Sequence, residues 1–241
     1  MKYVNLVLQG KGGAGKSIVS LFLSEFILFK ERNLEAIDTD PVNPTLYSYK
    51  ALNCNLIRMM DNGEIDHRSF DKIVEGILEA EDGTHFVIDT GATTFLPILK
   101  YLDENGVLDL LQDNECEVAI HTVVSGGGAI DATLSCVEKI FKVFPKQKII
   151  IWKNEYSGLA AKNDKPFEDL KIFKDNIERI YAVPTLKQRT GSSFNFDIQQ
   201  MIEKRKTFSE AINDEAFGLM SRQRLKMVQN DVFSQLEAMK M

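Results

Sequence analysis

The sequence predicts an α/β fold in one domain over residues 1–241, with a mostly parallel sheet and helices on both faces. Three observations predict it. Short apolar runs alternate with amphipathic stretches of helical length, the pattern of right-handed βαβ units. The first run ends in a glycine-rich turn that opens a helix. The second and third end abruptly in aspartate.

Val4–Leu8 reads as a buried strand, and Ser17–Lys30 as a helix with Leu21, Phe22, Phe26 and Phe29 on its apolar side. "LEAIDTD" is a second strand, "CNLIRMM" a short one, and "HRSFDKIVEGILEAE" an amphipathic helix. "HFVIDTG" is a strand broken by Asp and Gly. "CEVAIHTVVSGGG" is a strand into a glycine turn, followed by a helix over Ala129–Phe144. "KIIIWKNE" and "ERIYAVPTL" are further strands, separated by the long polar loop "NEYSGLAAKNDKP". The C-terminal part, from about residue 196 to 241, reads as helices packed on the sheet. Thr207-x-x-Glu210 spells a capping box, and Leu225, Val228, Val232, Leu236 and Met239 recur at helical spacing.

Composition narrows the function classes. The chain is 44% hydrophobic and 27% charged with a net charge of −6, so the whole molecule has no long-range attraction for nucleic acid or anionic membrane. Cys54, Cys116 and Cys136 are widely spaced and His67, His85 and His121 scattered, which argues for buried thiols and against disulfides or a zinc cluster. The N-terminus lacks an apolar signal core and no apolar run reaches membrane-spanning length. A soluble, cytoplasmic protein without stable membrane insertion is expected.

The turn after the first strand carries the chemistry. Gly10, Gly15, Lys16 and Ser17 satisfy the G-x-x-x-x-G-K-[ST] phosphate-loop pattern, which places the fold in the P-loop NTPase class. Gly10 through Ile18, including Gly12, Gly13 and Ala14, form the phosphate cradle, since glycines let successive N–H groups turn inward. Lys16 is expected on the β/γ-phosphates and Ser17 on Mg²⁺. Asp89, ending "FVID", is the expected carboxylate behind the metal, and Gly91 can place an N–H near the γ-phosphate. Asp38 and Asp40 lie two apart at the end of the second strand. Asp38 is expected nearer the metal, and Asp40, before Pro41, positioned to orient an attacking water.

These residues resemble a known family. "KGGAGKS", "DTDPVN" and "VIDTGA" are similar, in that order, to the deviant Walker A motif and two switches of the ParA/MinD ATPases. The resemblance implies ATP and Mg²⁺ as cofactors, slow partner-stimulated hydrolysis, and an ATP-dependent homodimer in which Lys11 contacts phosphates held by the other subunit. It implies that Asn154 and Pro184 border the adenine. A longer set, "LQGKGGAGKS", "IDTDPVN", "YKALN", "HTVVSGG" and "SRQRLK", resembles a family of plasmid conjugal transfer proteins, which implies conjugation or type IV secretion proteins as partners.

The sequence departs from partition ATPases where Val follows Pro41 and where "DTGA" replaces D-x-P-P; a winged-helix extension and a basic membrane tail are also missing. Weak, non-specific DNA contact would fall to Lys204, Arg205, Lys206, Arg222, Arg224 and Lys226. Three alternatives compete: a metabolic ligase, an electron-transfer relative of the nitrogenase iron protein, and a nucleotide-dependent binding module with negligible turnover. The first lacks a visible carboxylation site, and the second lacks cysteines in the required contexts.

Overall fold

The computed structural model describes every residue except Pro41, Asn62, Gly63, Thr190, Lys240 and Met241. In chain order the elements are β1 (Lys2–Val7), α1 (Lys16–Phe29), β2 (Leu34–Asp38), β3 (Asn55–Leu56), β4 (Met60–Asp61), β5 (Glu64–Ile65), α2 (His67–Glu79) and β6 (His85–Asp89). There follow α3 (Phe95–Glu104), α4 (Val107–Asp113), β7 (Cys116–Ser125), α5 (Ile130–Val143), β8 (Ile149–Asn154), β9 (Ala161–Lys162), β10 (Lys165–Pro166) and α6 (Lys171–Lys174). The chain finishes with β11 (Ile180–Ala182), β12 (Thr185–Leu186), α7 (Ser192–Glu203), α8 (Phe208–Asn213) and α9 (Leu219–Ala238).

The main sheet runs β11-β8-β7-β1-β6-β2-β3, with β12 prolonging the β11 edge beside β8. Every pairing in it is parallel. Alternate residues therefore feed two cores. Leu6, Leu8, Ile88, Ile120 and Ile151 pack with α2 to α5, and Val7, Val87, Val123 and Trp152 with α1, α8 and α9. Helix α1 is apolar almost all round and buried from Val19 to Ile27, because α9 covers the side away from the sheet.

The predicted strands and long helices are present with ends shifted by a residue or two, except that "CNLIRMM" contributes only β3 to the main sheet, its Met60 beginning the separate β4–β5 hairpin. Phe29 is a correction: at the last position of α1 it is 62% exposed, touching Phe233 at one edge. "ERIYAVPTL" divides into β11 and β12 around Val183 and Pro184. The polar loop after β8 contains the small β9–β10 hairpin. Thr207 and Glu210 form the capping box at α8, and Leu225, Val228, Val232, Leu236 and Met239 are all buried. The three cysteines are free and buried.

Register sets the site. Val7 pairs with Asp89 and His121, and Asp38 with Asp89, so β1, β2 and β6 end level with one another. The loops that follow them share the carboxyl edge of the sheet, where open α/β sheets bind ligands.

Candidate nucleotide site

The loop between β1 and α1 is shaped from beneath by Gln9, a fully buried residue that sequence reasoning missed. Its amide donates to the Val123 carbonyl at 2.5 Å and its oxygen accepts the Lys11 N–H at 3.1 Å. Gly13 and Gly15 take φ of +73° and +104°, left-handed values that favour glycine. Gly10 is required for space: a Cβ there would lie 2.7 Å from the Phe95 ring. The Asn154 amide then fixes the loop by donating to the Ala14 carbonyl at 2.9 Å.

This loop fits an anion. Gly15 begins α1 with no side-chain cap, and the first turn has no acid. Among the described residues, the N–H groups of Gly12, Gly13 and Gly15 have no protein acceptor. An uncapped helix start and unpaired loop amides are the donors that a phosphate group needs.

Lys16 is only 7% exposed, below the loop. Burial pushes its ammonium down from the usual range, while Asp89, Asp40 and Asp38 pull it back up. Asp89 is fully buried; burial pushes its carboxyl up to about 7, with Ser17, Lys16 and Ser20 opposing. Ser20 Oγ donates to Asp89 Oδ1 at 2.9 Å, but Oδ2 has no partner. An orphaned buried carboxylate oxygen next to Ser17 suits a hard cation. Among the described residues no group of three His, Cys, Asp or Glu could hold a metal unaided. Magnesium fits such a sparse set, because it takes much of its coordination from water and phosphate.

Asp38 and Asp40 also shape the backbone. Asp38 is fully buried, its carboxyl raised by burial, and its two oxygens accept the N–H groups of Asp40 and Tyr47, each at 3.0 Å. Asp40 Oδ1 accepts from Val42 at 2.9 Å and Asn43 at 3.0 Å, folding the loop in which Pro41 lies outside the described residues. Thr39 and Thr90 lock the strand ends, through the Asp89 and Val7 carbonyls respectively. Gly91 is buried directly after β6, its carbonyl accepting from Thr94. Lys11 is exposed, with no ion-pair partner among the described residues.

Beside Gly13 and Gly15 lies a cavity of about 290 Å³ lined by Ile18, Asn154, Tyr156, Leu186, Lys187 and Arg189, and by residues of α7 and α9. Asn154 reaches it. Pro184 is not among its lining residues; it is buried, and its carbonyl accepts the Lys153 N–H at 2.8 Å. Tyr156, Leu186 and Arg189 were not legible as site residues, since they come together only through the sheet edge. Three of the six cations expected to touch DNA are engaged within the fold. Lys206 pairs with Asp214 at 3.0 Å, Arg224 pairs with Asp197, and Lys204 lies over Phe217.

No protein-family model matches the chain. Two curated proteins from Escherichia coli, each called Protein TraL, are 41% and 39% identical to it. They cover 98% and 99% of this chain and 98% of their own lengths. Among solved structures, the MinC:MinD cell division protein complex of Aquifex aeolicus superimposes with a TM-score of 0.58 at 14% identity. It covers 98% of this chain and 96% of that chain. A proposed plasmid partition protein of Borrelia burgdorferi B31 bound to AMPPNP gives 0.51 at 13% identity, covering 97% and 99%. These distant structures establish a shared fold, that of the ParA/MinD-type P-loop ATPases, and no member of the chemistry beyond it. Kinship is carried by the full-length identity: the chain belongs to the TraL family.

Proposed function

We propose that this protein is a cytoplasmic ATP-binding switch of plasmid conjugation that pairs with a second copy of itself when ATP is bound and separates after slow hydrolysis. One observation carries the reading. A buried lysine, Lys16, stands at an uncapped helix start with Asp38, Asp40 and Asp89 around it, while a second lysine in the same loop, Lys11, is exposed.

The loop amides and Lys16 hold the phosphates of ATP, and desolvation strengthens that hold. Mg²⁺, when bound, neutralises phosphate charge; Ser17 and the free oxygen of Asp89 are the groups that would hold it, with Asp38 behind them. Asp40 orients the water, and Gly91, directly after β6, is the proposed N–H donor to the terminal phosphate. Lys11 faces the nucleotide of the partner copy, a role its exposure permits and a buried lysine could not fill. Asn154 borders the base while holding the loop. Pro184 acts only from behind, through the backbone of the β8 edge.

Slow turnover is expected because Arg189, the arginine lining the cavity beside the loop, is held by Asp231 at 2.9 Å. Conjugation or type IV secretion proteins are the partners that TraL kinship favours, and DNA contact would be weak because three of its six candidate cations are engaged within the fold. A binding module with negligible turnover is the second reading. Its support is the engagement of Asp40 with the amides of Val42 and Asn43, which a turn-forming role alone explains. Hydrolysis by Asp40→Asn and Asp40→Ala separates the two. Asn keeps the turn contacts, so the switch reading expects both variants to lose turnover, whereas unchanged turnover in Asp40→Asn would favour the module.

A further inference from the structure

The C-terminal helix does more than cover the sheet. It forms a wall of the cavity beside the phosphate loop through Val228, Asp231 and Val232. Another part of the wall is the segment after β11, and α9 holds that segment through two side chains four residues apart. Beyond the cavity, the backbone carbonyl of Met239, just past α9, accepts from Tyr181 Oη of β11 at 3.0 Å. Gln235 exchanges two hydrogen bonds with the Thr185 backbone, accepting its N–H at 2.7 Å and donating to its carbonyl at 3.1 Å. Asp231 takes Lys187 at 2.7 Å and Arg189 at 2.9 Å, one on each oxygen.

The spacing matters because residues four apart share one helix face, so the Asp231 and Gln235 contacts form one seam. Gln235 completes the seam in a specific way. β12 pairs with β8 on one side only, and the side-chain amide supplies the backbone partner that its open edge lacks. Arg189 extends the seam sideways, since its guanidinium also lies over the Phe194 ring of α7 at 5.3 Å. The segment beside the cavity is thus held on one side by its ladder with β8 and on the other by side chains of α9.

We infer that α9 is the latch of the base-binding cavity, with Asp231 and Gln235 as positioning residues that set how long a nucleoside diphosphate stays bound. This rests on the nucleotide reading given above. Partly exposed ion pairs are individually weak, so the latch is releasable, and its loss should act mainly on the dissociation rate.

The test follows release of a fluorescent ADP from the full chain by stopped flow, alongside competition by tripolyphosphate, which has no base and engages the phosphate loop alone. Asp231→Ala and Gln235→Ala should release ADP about three- to tenfold faster. Tripolyphosphate competition should stay unchanged, and Asp231→Glu should recover much of the wild-type rate. Unchanged ADP release in both alanine variants would overturn the latch alone. So would parallel weakening toward ADP and tripolyphosphate, since that reports general loosening. A wild-type chain that binds neither would instead remove the nucleotide reading itself, and the latch with it.

Discussion

Two buried polar clusters lie on neighbouring strands and are built on opposite principles. In the middle of the sheet, His121 Nε2 meets Asn5 Oδ1 at 3.1 Å, Trp152 Nε1 donates to His121 Nδ1 at 3.0 Å, and the Asn5 amide donates to the Phe86 carbonyl. Both imidazole nitrogens are partnered, and burial holds the ring neutral by pushing its pKa down to about 3. A few residues along, Asp89 is equally buried yet leaves Oδ2 without a partner, and its carboxyl rises to about 7. Satisfied buried networks fix a fold, whereas an unsatisfied group retains capacity for a ligand. Glu25 Oε1 and Thr122 Oγ1 are also without partners, so it is the position of Asp89 at the sheet's carboxyl edge beside Ser17 and Lys16 that singles it out.

The comparison breaks most visibly at Lys16. Lys16→Ala should weaken nucleotide binding about 100-fold or more, measured by calorimetric titration, because a charged phosphate contact is lost in a desolvated site. Melting should change little. Next, Asp89→Asn should lower hydrolysis at least about 100-fold while leaving the fold intact or firmer, since burying a carboxylate opposes folding. Trp152→Phe makes the reverse case. It strands His121 Nδ1 and should destabilise the chain by about 1–3 kcal/mol in urea unfolding, with nucleotide affinity retained. Loss of affinity in Trp152→Phe at temperatures where it is folded would erase the distinction.

Smaller effects come with pH. The folded pKa of His121 lies below its ordinary value of 6.5, so its contribution is present above that pH and lost as pH falls toward about 3. Glu25 behaves oppositely. Burial raises it from 4.5 to about 8 although it accepts the Phe208 N–H at 2.7 Å, so its contribution is full below about 4.5 and lost as pH rises through about 8. Melting temperature should therefore decline at both ends, and Glu25→Gln should flatten the alkaline side alone.

How much of this was legible in the sequence depends on how local the cause is. Gly10, Gly15, Lys16 and Ser17 were readable because a phosphate loop needs fixed residue types at fixed spacing within one turn. The capping box of Thr207 and Glu210 was readable for the same reason. The pair of helices α3 and α4 was not, because Pro97 and Gly106 break the apparent period, although Pro97 sits in a first turn where its missing N–H costs nothing. Gln9 gave no signal, as a polar residue ending a strand is usually exposed. The Asp231 contacts join positions more than forty residues apart and exist only once β12 lies beside β8. Asn154 was legible by place, but its bond to Ala14 was not.

The central claim is that Lys16 serves the nucleotide of its own chain and Lys11 that of the partner. Light-scattering mass measurement with ADP and with a slowly hydrolysed ATP analogue tests it directly, on wild type, Lys11→Ala and Lys16→Ala. Dimers are expected for wild type with the ATP analogue and for no other sample, with Lys11→Ala still binding nucleotide as a monomer. A Lys11→Ala protein that dimerises as wild type does would contradict the account.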